Sequence, residues 1–425
     1  MLLKGLDTWY QLGDGVGACA ECARALGDRL RALYGEAFVP FAADSLVLGG
    51  ADGAFARDRK ALQLASPLAA ARRVILRARD AARPDEAHEG SGGELFARLT
   101  VGPLGALLAE RVDGVFLEGT KTAHRLFSAE LFRAAAHERP VAVELVDGDA
   151  RSLEGAAALV FAAGCEVALD AAAGEQARSV VDAQRAFRQE LRRRFRPTAP
   201  LGEVQLLYSP HCDHWTRGAH FTATAQLAEA LTDEQVQYTI SMGEPRGREP
   251  VLVAGAMALL PDQAHALAQH VFGGGTAVCL GTPTTVDAQG LTDEPPFDSV
   301  KVGEETRYGE GRTVLFPEDA AVASLVVAAL GNRRRAIVLT GANRVCVKAF
   351  LDPERKLDLH IVNRGDTPLR GAKLHLSGAI VGSTRTGTLF VPDREQEKLT
   401  LTPSRSGVST ALPEIERHAL LAISR

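Results

Sequence analysis

Apolar runs and amphipathic segments alternate regularly between residues 203 and 282, and this alternation constrains the fold more than any other feature of the sequence. The apolar run at 204–208 is followed by an alanine-rich amphipathic segment at 221–231. Similar short runs and a further amphipathic segment occupy 238–280. Strands that alternate with helices indicate a parallel sheet covered on both faces. We therefore predict a doubly wound α/β domain over residues 201–331.

Domains of this type can act as amidotransferase-like enzymes or bind phosphate, but the residues that these two functions need are missing from this sequence. An amidotransferase-like enzyme needs a nucleophile on a sharp turn between a strand and a helix. The turn at 255–261 contains neither Cys nor Ser, and Cys279 lies within an apolar run, as a buried thiol does. Phosphate binding uses the amides at a helix start, whereas the glycines at 273–275 precede a strand. We interpret those glycines as a helix stop and a tight turn.

The region before this domain contains about five strand and helix units that run in one direction. Its clearest strands cover 95–101, 114–117, 140–146 and 166–169, and a helical pattern follows each of them. This is the pattern of a βα-barrel, although such a barrel closes with eight strands over roughly 250 residues. We predict a partial barrel of the TIM type over residues 1–197.

The hydrophobic period changes to two from residue 336 onward. Alternating apolar and polar residues occupy 345–350, 357–362 and 373–376, and turn residues separate them. Short strands of this kind predict a small antiparallel β-sandwich over residues 336–425.

Composition argues against several classes of partner. A net charge of -5 and an aromatic content of 5% give no basic, stacking surface for nucleic acid. Six cysteines without the spacing of a disulfide framework indicate a reducing compartment. The longest apolar run, near 322–330, is too short to span a bilayer. We predict a cytoplasmic protein with neither a nucleic-acid nor a membrane partner.

The order of the three regions resembles that of the family 42 glycoside hydrolases, the bacterial β-galactosidases and their relatives. The central region is similar to the flavodoxin-like trimerisation domain of the family at 206–210 and 259–276. Residues 359–363 resemble its C-terminal β-domain. The segments at 19–22 and 30–35 are more loosely similar to the part that follows a middle barrel strand.

This resemblance implies a glycoside hydrolase active on β-linked galactosides or related sugars. It implies carbohydrate as the ligand, a homo-oligomer such as a trimer, and no cofactor. In the family, the helix that residues 19–22 resemble follows roughly the fourth barrel strand. We therefore expect this sequence to be truncated at its N-terminus. A reduced relative that completes its sheet differently is the alternative.

Glycoside hydrolysis needs two carboxylates across the sugar ring, and barrel enzymes place them at the carboxyl ends of strands. Three acids fit this position: Asp7, Glu118 and Glu144. Glu118 is the best candidate because an apolar strand precedes it and Lys121 follows it. By family position the strand of Glu144 carries the nucleophile, although Asp147 lies nearer the mouth. The structural alternative for Glu118 is a helix-capping or salt-bridged acid.

Trp9 and Tyr10, beside Asp7, are candidates for substrate binding together with Lys121. Aromatic residues next to a barrel strand also serve as packing residues. The proton donor of the family is a Glu that follows an Asn, and this sequence contains no Asn-Glu pair. The alternative function is therefore a non-catalytic oligomerisation or carbohydrate-binding protein.

We predict no metal site. Cys19 and Cys22 have a spacing that zinc sites use, but a closed site needs four ligands. The run at 211–215, His-Cys-Asp-His-Trp, crowds possible ligands into what we interpret as a surface or interface loop.

Overall fold

The computed structural model describes residues 2–3, 71, 74–75, 96–118, 124–137, 139–145, 149–169, 174–192, 199–256, 258–286, 296–297, 301–331, 333, 335–351, 356–382 and 384–423. Within them the chain forms a parallel sheet, then a mixed sheet, then a pair of antiparallel sheets.

The first sheet has five parallel strands in sequence order, which is the order that a βα-barrel uses. The strands are β1 (Leu2–Leu3), β2 (Phe96–Leu99), β3 (Gly114–Leu117), β4 (Val141–Leu145) and β5 (Glu166–Leu169). The helices are α1 (Pro103–Ala109), α2 (Arg125–Ala135), α3 (Ala150–Ala162) and α4 (Glu175–Arg192). Among the described residues no strand joins β1 to β5.

The two faces of this sheet differ in burial. On β2 and β4 buried residues alternate with half-buried ones, and the buried set includes Ala97, Leu99 and Val143. Helices α1 to α4 cover that buried face, and their own apolar residues complete its core. The opposite face carries Phe96 and Arg98, which are only half-buried. We call it the open face of the sheet.

The second sheet is parallel except at one edge. Its order is β11-β12-β10-β9-β7-β8, and only β11 runs against its neighbour. Its strands are β7 (Val204–Tyr208), β8 (Tyr238–Met242), β9 (Val251–Ala254), β10 (Thr276–Leu280), β11 (Glu305–Tyr308) and β12 (Gly311–Phe316). Its helices are α5 (Pro210–Trp215), α6 (Ala219–Asp233), α7 (Pro261–Phe272) and α8 (Val322–Leu330). Counted from β7, the parallel strands have the order 2-1-3-4-5 of flavodoxin-like sheets.

The third part of the chain consists of two antiparallel sheets that share an apolar core. The four-stranded sheet contains β13 (Ile337–Thr340), β16 (Lys373–Ser377), β20 (Gly407–Ala411) and β19 (Thr402–Ser404). The six-stranded sheet contains β18 (Glu397–Thr400), β17 (Thr386–Phe390), β21 (His418–Ile423), β15 (Leu357–Asn363), β14 (Val345–Leu351) and β6 (Ala199–Pro200). A short helix, α9 (Gly378–Val381), follows β16.

The three parts contact one another through aromatic and polar side chains. Phe127 of α2 packs against Phe221 of α6, with ring centroids 5.4 Å apart. The side-chain amide of Gln237, just before β8, donates to the carbonyl of Val347 at 2.9 Å and accepts from the amide of Ala349 at 3.1 Å. Gln237 therefore binds the backbone of β14 much as a neighbouring strand would.

No helix within the described part of the chain is both long and apolar enough to cross a bilayer.

Candidate active site

Two of the three predicted carboxylates lie side by side on the open face of the first sheet. Leu117 of β3 is in register with Val143 of β4, so the residues that follow them, Glu118 and Glu144, are neighbours on adjacent strands. Glu118 directly follows β3, and its amide donates to the carbonyl of Leu99 at 2.8 Å. Glu144 is one residue from the end of β4. Both acids therefore lie at the carboxyl ends of their strands, as barrel catalytic residues do.

Arg98 contacts both carboxylates with a single nitrogen. Its Nη2 donates to Glu144 Oε2 at 2.7 Å and lies 3.3 Å from Glu118 Oε1. The side chains differ in exposure: 14% for Glu144, 25% for Arg98 and 47% for Glu118. Glu144 is thus the drier and more closely held member of the pair, whereas Glu118 faces solvent. The alternative interpretation of Glu118 as a salt-bridged acid agrees with this contact, and helix capping does not describe it.

The shared contact limits how far apart the two acids can be. Since one nitrogen lies 2.7 Å from one oxygen and 3.3 Å from the other, those oxygens are no farther apart than the two distances combined. The ~5–5.5 Å of retaining and the ~6.5–9.5 Å of inverting glycosidases are separations between the carboxyl groups, not between two of their oxygens. The shared contact therefore shows that Glu118 and Glu144 are close neighbours on one face of the sheet.

Two phenylalanines lie on the same face, toward the amino ends of the strands. Phe96 and Phe116 meet edge to face, with ring centroids 6.0 Å apart and planes at 66°. A Cβ on Gly114 would lie 2.2 Å from the Phe96 ring, so glycine is required there for the ring to take this position. Both rings are half-buried, so this face of the sheet is apolar toward the amino ends of the strands and charged toward their carboxyl ends.

The remaining predicted site residues lie outside the described part of the chain. They are Asp7, Trp9, Tyr10 and Lys121, and the same holds for Asp147, Cys19 and Cys22. Their predicted roles stay predictions.

The structure corrects the interpretation of 211–215 as a loop. These residues belong to helix α5, which begins at Pro210. Ser209 caps the helix, because its hydroxyl accepts from the amide of Cys212 at 3.1 Å. The Asp213 carboxylate accepts from the Tyr208 hydroxyl at 3.0 Å and from the Phe221 amide at 2.7 Å. These buried bonds hold helix ends in place, and the described residues contain no group of three or more potential metal ligands.

Arg98, which contacts both acids, was not predicted from the sequence. A signal for it exists: in Phe-Ala-Arg-Leu the charged residue stands between two apolar ones in a strand that alternates. A cation in that position faces the interior of a barrel, where it needs a carboxylate partner.

Comparison with known proteins finds solved structures of similar fold but no match by sequence. The sequence matches no protein-family model and no curated protein. Among solved structures, a β-galactosidase from Bacillus circulans sp. alkalophilus is similar with a TM-score of 0.66 and 10% identity, over 99% of this chain and 76% of that chain. A catalytic mutant of Gan42B, a GH42 β-galactosidase from G. stearothermophilus, follows at a TM-score of 0.63 and 10% identity, over 99% and 75%.

A third neighbour, an apo exo-carrageenase GH42 from Bacteroides ovatus, has a TM-score of 0.58 and 11% identity, over 99% of this chain and 62% of that chain. The chain therefore has a fold like that of GH42 β-galactosidases, which contains a TIM-type barrel.

Proposed function

We propose that this protein is a glycoside hydrolase that cleaves β-linked galactosides through Glu118 and Glu144. The observation that carries the proposal is the spacing of these two acids at the carboxyl ends of adjacent parallel strands. Support for galactosides comes from the likeness to β-galactosidases, which by itself concerns the fold.

The environments of the two acids suggest their roles in a retaining reaction. Glu144 is largely buried and hydrogen-bonded to Arg98, so its carboxylate is fixed and suits the nucleophile that attacks the anomeric carbon. Glu118 is half-exposed, and its contact with Arg98 is the longer of the two. It would protonate the leaving oxygen, and later it would accept a proton from the water that releases the sugar.

Assigning the proton donor to Glu118 also accounts for the departure from the family pattern. The given sequence contains no Asn-Glu pair, and in this proposal Glu118 supplies the proton instead. Glu118 is the described acid that Arg98 links to Glu144.

Hydrolysis of an aryl β-galactoside tests the proposal. We expect turnover by the wild type and a loss of at least about 10²-fold in Glu118→Gln and in Glu144→Gln, because each amide removes proton transfer or nucleophilic attack. Glu110→Gln is the matched control: Glu110 caps the C-terminus of α1, at the opposite end of the strands. An inactive wild type, or equal loss in the control, contradicts the proposal.

A non-catalytic carbohydrate-binding protein is the second candidate. One observation favours it: Arg98 forms an ion pair with each of the two carboxylates, as it would in a cluster that only stabilises the fold. Titration calorimetry with galactose separates the two functions. Binding of sugar by the wild type with no turnover of the aryl galactoside supports the second candidate.

A further inference from the structure

Arg98 holds a position from which it can control both acids. Its neighbours in β2, Ala97 and Leu99, are fully buried, so the alternation of the strand places Arg98 on the open face. In register it stands beside Phe116, two residues before Glu118. From there the guanidinium passes in front of β3 and reaches Glu144 on β4. Three adjacent strands thus contribute one residue each to a single cluster.

The two acids need a cation because of where the register puts them. Neighbouring strands lie ~4.8 Å apart, so the two carboxylates repel each other whenever both are ionised, as they are before Glu118 takes up the proton that it donates. The Nη2 of Arg98 contacts both, so it offsets the repulsion and limits how far the pair can separate. From this geometry we infer that Arg98 is a positioning residue that sets the separation and orientation of the Glu118–Glu144 pair. The inference rests on the proposed function of that pair.

The two contacts of Arg98 are unequal, and the difference suggests how the cluster works. The bond to Glu144 is short and mostly shielded, whereas the contact to Glu118 is longer and the acid is half in solvent. Charge interactions weaken in water, so the Glu118 contact is the one that an entering sugar can replace. Arg98 then stays with Glu144 while Glu118 turns to the leaving oxygen.

Replacing Arg98 tests this role through kinetics. In Arg98→Ala we expect kcat to fall about 10²-fold, because a displacement near 1 Å costs that much, while KM changes little. Arg98→Lys keeps the charge but loses the planar fork, so it should retain part of the rate. Added methylguanidinium should restore turnover in Arg98→Ala. Arg111→Ala is the control, because Arg111 pairs with its neighbour Glu110 at 2.7 Å, beyond the end of α1.

A loss confined to KM, or a kcat like that of the wild type in Arg98→Ala, overturns the inference. A loss of kcat without rescue by methylguanidinium or by Arg98→Lys also overturns it, because a merely structural role would behave in that way.

Thermal melting separates failure of this inference from failure of the proposed function. We compare melting temperatures of Arg98→Met, Glu144→Gln and the double variant. If Arg98 holds Glu144, the two single shifts will not add up to the double shift. The same cycle with Glu118→Gln should show a smaller deviation. Coupling without any hydrolysis contradicts the proposed function and the inference that depends on it, whereas hydrolysis without coupling contradicts the inference alone.

Discussion

His220 shows how one buried side chain can set the acid sensitivity of this protein. Its ring is fully buried between two strand ends. The amide of Ser209 donates to Nε2 at 3.0 Å, so Nε2 is the acceptor. Nδ1 therefore carries the hydrogen and donates to the carbonyl of Ala254, 2.9 Å away. Burial lowers the pKa of His220 from 6.5 to about 4, and a second proton would break the bond from Ser209.

We expect the stability that His220 provides to be lost as the pH falls. The unfolded chain takes up a proton near pH 6.5, but the folded chain resists it until about pH 4. The contribution is therefore complete above pH 6.5 and disappears toward pH 4, and it amounts to roughly 3 kcal/mol. Melting temperatures across this range measure it.

His220→Gln keeps an acceptor and a donor but cannot titrate, so the pH dependence should become shallower. Burial also lowers the pKa of His418, to about 4, and that of His360, so part of the dependence will remain. The matched control is His265→Gln, an exposed residue of α7, which should leave the profile unchanged. A wild-type profile that is flat between pH 6.5 and 4 contradicts this account.

At the scale of elements, a buried ion pair connects helix α2 to strand β14. Lys348 Nζ lies 2.7 Å from Glu130 Oε1, and the two side chains are only 6% and 11% exposed. The ammonium also lies 3.4 Å from the centre of the Tyr238 ring, in β8. One charge pair and one cation–π contact thus join all three parts of the chain.

Replacing only one member of this ion pair should destabilise the folded protein. Glu130→Gln leaves the Lys348 charge buried without its carboxylate, and Lys348→Met leaves the carboxylate without its cation. We expect either change to lower the free energy of unfolding by about 3–5 kcal/mol, and the double variant to be more stable than either single one. Denaturant titration measures these differences.

Arg364 and Asp233 form a suitable control pair. They are also 2.7 Å apart and also connect the β-sandwich to the central part, but their side chains are 29% and 59% exposed. Arg364→Met should therefore cost at most about 1 kcal/mol. If Lys348→Met costs no more than that, the buried pair does not fasten the β-sandwich to its neighbours.

Most strands and helices of the described residues could be predicted from the sequence because their hydrophobic periods are distinct. The apolar run 204–208 is β7, and the helical pattern predicted after the strand at 140–146 is α3, at 150–162. Helix α5 was missed because Ser209-Pro210 indicates a turn as readily as a helix start. Proline at the first helical position and serine as the cap suit the helix equally well.

The candidate site could be predicted only in part. Glu118 and Glu144 were predicted because they lie at strand ends, and the apolar runs of the sequence show where strands end. Their common contact with Arg98 depends on the register of β2, β3 and β4. Register across parallel strands is set by packing of the helices between them, and a single sequence does not specify it.

In the molecule as a whole, the proposed chemistry depends on one pair of acids in the first sheet, Glu118 and Glu144. The fold is similar to that of β-galactosidases over nearly all of this chain, at 10% sequence identity. The second sheet and the β-sandwich contact the helices of the first sheet, whereas the acids lie on its opposite, open face.

Trapping the sugar on the protein tests whether Glu144 is the nucleophile. A 2-fluoro-β-galactosyl fluoride forms a slowly hydrolysed ester with the nucleophile of a retaining enzyme. After incubation, peptide mass mapping should find the fluorosugar on the peptide that contains Glu144, and Glu144→Gln should remain unlabelled. No adduct on the wild type, or an adduct on another acid, would contradict the assignment of Glu144 as the nucleophile.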